Sequence, residues 1–166
     1  MRTMALGLVL LVSGCVGPKE RVVPEDYTGP GAAISDTVVY PNEGEMYQLF
    51  YVDAVDGDTI QNAMTVTRGA SAGRGSAVVA MSRKRAVPVK KMRIRLVGTH
   101  YASMPIQEMW NQIRGKFFRV KGEVDFEPKE GKEYVVVGEL GKSGSSVWIQ
   151  EMETKEIVTT KVFEKP

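Results

Sequence analysis

In the stretch FFRVKGEVDFEP, apolar and charged residues alternate. Phe118, Val120, Val124 and Phe126 share one row, and Arg119, Lys121, Glu123 and Asp125 share the other. Successive side chains of a strand point to opposite faces, so this row pattern predicts a half-buried strand with Gly122 on its inward side. The same period governs most of the chain beyond Thr37. EPKEGKE reads as a turn, with Gly131 supplying a positive φ. YVVVGEL (residues 134–140) is apolar on both rows, as in a central strand. GKSGSS is another turn, SVWIQEM a strand, ETKE a turn and IVTTKVF the last strand. Four strands with short links predict an antiparallel meander.

The front half is less regular. MYQLFYVDAV (residues 46–55) reads as a long strand, DGD as a hairpin turn, and TIQNAMTV as a segment that can pair back. SAVVAMS reads as a short strand. In VPVKKMRIRLV the inward row is odd at Val87 and Val89, then even at Met92, Ile94 and Leu96. A slip of one residue moves every side chain to the other face, which predicts a β-bulge at Lys90–Lys91. One segment changes period. SMPIQEMWNQIRG places Ile106, Met109, Trp110 and Ile113 at helical spacing, with Ser103 to cap and Gly115 to end a short amphipathic helix at about 103–114. Its stripe, with Trp110 as a core anchor, would cover an open end or edge of the sheets. Short strands and one helix predict a mainly β domain, an antiparallel β-sandwich. A partly open barrel is the competitor, but no closure signal is legible.

The amino terminus has a different character. Arg2 gives a positive start, Met4 to Val12 form an apolar run, and Ser13, Gly14 and Cys15 follow. These are the parts of a secretory signal, and the run is shorter than the roughly 20 residues that span a bilayer. LVSGC (Leu11 to Cys15) resembles the lipobox of bacterial lipoproteins. That resemblance implies that residues 1–14 are a signal peptide, that Cys15 becomes the acylated first residue, and that its acyl chains moor the protein. With Val16 rather than Asp after the cysteine, it also implies the outer membrane, facing the periplasm. Residues 15–36, with prolines at 18, 24 and 30 and glycines at 17, 29 and 31, read as the lipidated Cys plus a flexible linker of roughly 25 Å reach. Residues 37–166 then form one β-sandwich domain. The rear half, VDFEPKEGKEYVV followed by SSVWIQE, is similar to small bacterial lipoproteins with a transthyretin-like sandwich, a likeness that speaks to fold and not to activity.

With Cys15 acylated no thiol is left, so the domain stands on packing without disulfides or thiolate metal sites. Known chemistries fit the residues poorly. GASAG (Gly69 to Gly73) matches the nucleophile elbow G-x-S-x-G, but it is followed by a predicted strand, and the only histidine is His100. Phosphate loops also need a helix after the glycines. Asp53, Asp56 and Asp58 lack calcium-loop spacing. One histidine without a free cysteine is too few for zinc. No cofactor is implied. Trp148 lies on the opposite row from Val147 and Ile149, where partial exposure is expected.

Charge is asymmetric. No acid occurs between Thr59 and Gln107, a window that holds nine basic residues, including Arg83, Lys84, Arg85, Lys91, Arg93 and Arg95. These six are candidate contacts to an anionic envelope surface, unless acids such as Glu123 and Asp125 on adjacent strands pair with them. No aromatic interleaving supports nucleic-acid binding. The sequence therefore predicts a non-enzymatic, lipid-anchored cell-envelope protein that binds or supports another envelope protein or an anionic envelope polymer. The alternatives are a small-ligand-binding lipoprotein with a pocket under the helix, and an envelope hydrolase using paired carboxylates.

Overall fold

The computed structural model describes residues 17–40, 46–102, 115 and 117–165. Among these residues ten strands form two sheets. Sheet one has the order β10-β9-β8-β1-β5, built from Val162–Glu164, Ser145–Glu151, Glu133–Glu139, Gly31–Ser35 and Lys84–Pro88. Sheet two has the order β2-β3-β6-β7, from Thr37–Val39, Tyr47–Val55, Met92–Tyr101 and Arg119–Phe126, with β4 (Asp58–Thr59) paired to β3. Pairing is antiparallel except for β1 on β8. The main core lies between the sheets. Ile34, Val87, Val136 and Ile149 meet Phe50, Ile94, Leu96, Val120 and Phe126, all of them nearly or wholly inaccessible. This is the mainly β sandwich expected from the alternating rows.

Period two placed the core rows correctly. Val120, Val124 and Phe126 of β7 face the core, while Arg119, Lys121, Glu123 and Asp125 face out. Gly122 is on the inward row because β10 needs the space: a Cβ there would stand 2.6 Å from Val162 Cγ1. The Asp56-Gly57 pair turns β3 into β4 with φ of 50° and 89°. Positive φ at both positions matches the twist of a two-residue hairpin.

Several expectations are corrected. The rear strands are not one meander. β8, β9 and β10 are sequential neighbours, but β7 belongs to the other sheet, and EPKEGKE crosses between sheets rather than closing a hairpin. The parity change at Lys90–Lys91 is likewise a crossing, from β5 of sheet one to β6 of sheet two, and not a bulge. The register shift falls instead between Val52 and Ala54, where Asp53 is the extra residue. The linker is shorter than residues 15–36, since Gly31–Ser35 form β1, which sits inside sheet one between β8 and β5. SAVVAMS forms no strand.

TIQNAMTV pairs back on β3 only at its start, where Thr59 lies opposite Ala54. Ala63–Ser71 form a helix, α1. Asn62 caps it by accepting from the Thr65 N–H, and Thr65 Oγ1 accepts from the Asn62 N–H, a reciprocal cap. Ala63 packs on Leu49, Tyr51 and Val97, forming a second small core on the outer side of sheet two. The helix expected at about 103–114, with Trp110, lies outside the described residues.

Candidate functional site

The outer face of sheet two carries a ladder of charges. The β6–β7 register sets Arg93 opposite Asp125 and Arg95 opposite Glu123. Arg93 Nε donates to Glu123 at 3.0 Å, and Arg95 donates to the other oxygen of the same carboxylate at 3.1 Å. Lys91 pairs with Asp125 at 3.1 Å. The bulge in β3 turns Asp53 outward, where Arg95 and Lys121 approach it at 3.7 and 3.4 Å. Hydrogen bonds from Arg95 and then Arg93 hold the Glu123 carboxyl below the ordinary range. The face interleaves both signs, and Lys91, Arg93, Arg95 and Lys121 all have an acid within ion-pair distance. A groove runs beside it, lined by Arg93, Glu123, Val124, Asp125 and residues 157–160, in which Ile157 is exposed.

The RKR triplet is divided by the pleat. Arg83 reaches Glu20 at 3.8 Å, and Lys84 pairs with Glu133 across the surface of sheet one. Arg85 points inward, and this corrects its assignment as a surface contact. It lies buried against Asp36, the single residue between β1 and β2 where the chain changes sheets. Two guanidinium nitrogens meet both carboxylate oxygens. The Val52 and Ala63 N–H groups donate to the same carboxylate at 3.1 and 2.8 Å. Burial pushes the Asp36 carboxyl up, against the pull of Arg85 and of the two backbone donors. One side-chain pair thus ties sheet one, sheet two and the start of α1.

The residues tested for chemistry serve the fold. Ser71 ends α1 instead of standing between a strand and a helix, and its Oγ accepts from the Val79 N–H at 2.9 Å. His100 is buried at the end of β6, and its Nδ1 accepts from the Phe118 N–H at 3.0 Å. Burial lowers its pKa, and the donor aimed at Nδ1 leaves the second proton no place there. Trp148 faces away from the core that holds Val147 and Ile149, as expected. It is more covered than expected, at 8% exposure, with Lys161 Nζ 3.8 Å above its ring. Among the described residues no three His, Asp or Glu side chains gather as metal ligands, and no helix is long and apolar enough to cross a membrane.

A second feature was not foreseen from the sequence. Residues 19–25 fold back on the end of the sandwich and border a cleft of about 380 Å³ with Val55, Asp56, Asp58, Ile60, Pro88 and Lys90. Lys19 pairs with Asp58, and Lys90 with Asp56. No protein-family model, no curated protein and no solved structure matches the chain.

Proposed function

We propose that the chain is a lipid-anchored cell-envelope protein, held through Cys15 at the periplasmic side of the outer membrane. Its sandwich engages another envelope protein without catalysing a reaction. The LVSGC pattern supports the anchor. The observation that carries the choice of partner is the interleaved ladder of Arg93, Arg95, Lys121, Asp53, Glu123 and Asp125. An anionic polymer is best served by unpaired cations. These cations are already matched by acids, and a patterned face of both signs suits a protein surface of complementary pattern. The hydrolase reading requires one acid kept protonated at neutral pH. At Glu123 the two arginines pull the other way.

The test is site-specific photo-crosslinking in the intact envelope. A probe at Arg119, on the outer row of β7, should give one discrete protein adduct. A probe at Lys142, in the β8–β9 turn, should not. Glu123→Lys should reduce the adduct several-fold by placing like charges in the ladder. Adducts of equal yield from both positions, or a yield indifferent to Glu123→Lys, would contradict the reading.

A further inference from the structure

The chain is fixed to the sandwich almost as soon as it leaves Cys15. The Lys19 N–H donates to the Thr59 carbonyl, and the Gln61 N–H donates to the Lys19 carbonyl, both at 2.9 Å. These bonds make a parallel bridge between Lys19 and Ile60. The side chains add to it. Lys19 pairs with Asp58, Glu20 with Arg83, and Val22 packs against the main core. Only Val16, Gly17 and Pro18 separate Cys15 from this attachment.

We infer that the sandwich is not free on a long tether but is docked end-on against the lipid leaflet, with the β3–β4 turn and the 88–91 crossing facing the headgroups. This inference rests on the acylation of Cys15 proposed above. Four residue steps span at most about 14 Å, whereas a coil of about twenty residues would reach roughly 25 Å on average. The headgroup layer itself is about 5–8 Å deep on each side. The end bearing Lys19, Asp56, Asp58 and Lys90 therefore cannot leave the leaflet surface while the acyl chains are inserted. β3 has nine residues at about 3.4 Å each, so its other end stands roughly 30 Å further along the strand direction. The docked end is charged but balanced, since Lys19 pairs with Asp58 and Lys90 with Asp56. Its position follows from chain length, not from attraction to anionic lipid, so salt should not release it.

The experiment uses the mature acylated protein in vesicles of phosphatidylethanolamine and phosphatidylglycerol carrying a headgroup quencher. A fluorophore is placed at Lys90→Cys or at Lys142→Cys; Cys15, being acylated, does not react. Quenching should be several-fold stronger at position 90 than at 142, in low and in high salt alike. A flexible insert of about twenty residues between Gly17 and Pro18 should abolish most of that difference. Equal quenching at the two sites in the acylated parent would overturn the docking, as would a difference that survives the insert unchanged. An unmodified Cys15, read from the mass of the amino-terminal peptide, would instead overturn the anchor itself.

Discussion

Asp36 and Arg85 show how far a single buried pair can reach. The carboxylate is wholly covered and the guanidinium nearly so. Removing one partner of such a pair leaves a charge without compensation and costs about 3–5 kcal/mol. Arg85→Met should therefore destabilise the domain by about that amount in denaturant unfolding. Asp36→Asn combined with Arg85→Met should recover much of it, because the amide oxygen still accepts from Val52 or Ala63. Arg93→Ala, at a pair open to water, should cost no more than about 1 kcal/mol. Arg85 was legible as inward, since it shares the odd row with Val87; its place in a run of three basic residues hid this. His100 makes a separate prediction. Its folded pKa lies below the ordinary 6.5, so the unfolded chain binds the proton first as pH falls. The stability from the neutral, buried ring is complete above about pH 6.5 and declines below it. His100→Asn should remove that part of the slope when unfolding midpoints are compared on either side of pH 6.5. An unchanged slope would assign the acid sensitivity elsewhere.

At the scale of elements, what could be read was what depends on one face alone. β7 was plain in its rows, β8 was legible as a central strand from apolar residues on both rows and is the middle strand of sheet one, and Gly131 has the positive φ its turn requires, at 70°. What could not be read was which sheet each strand joins, because a strand half-buried in a sandwich has the same pattern in either sheet. Lys90–Lys91 shows the difficulty: a parity switch in sequence fits a bulge and a change of sheet equally well. α1 was missed because its buried face, Ala63, Thr67 and Ser71, is small and only weakly apolar. The cue was the cap: Asn62 with Thr65 three residues on, where a Glu or Gln would have been the familiar signal. At Gly138, β8 lies close against both β9 and β3. A Cβ at Gly138 would collide with the Ser146 carbonyl oxygen and with the Phe50 ring. The obstacle is partly backbone, so Gly138→Val should lower the unfolding free energy by about 1–3 kcal/mol, read as a lower denaturant midpoint. A variant as stable as the parent would mean that β8 and β9 are less closely held than the register implies.

For the whole molecule, two sheets share the main core, and the chain passes between them four times, at Asp36, through α1 and residues 72–83, at 89–91 and at the β7–β8 link. Of the surface proposed for partner binding, the outward placement of Arg93 and Arg95 was legible from their row. Their acid partners were foreseen only as a possibility, since cross-strand neighbours follow from register. The attachment of Lys19 could not be foreseen, because a parallel bridge of one residue leaves no periodic trace. Under the proposed acylation of Cys15, that attachment shortens the tether from many residues to the three between Cys15 and Lys19. The account turns on Cys15. The amino-terminal peptide should be isolated from the cell envelope and its mass measured. A peptide that begins at Cys15 and carries acyl chains is the predicted result, and a free thiol, or a peptide beginning elsewhere, would contradict the account.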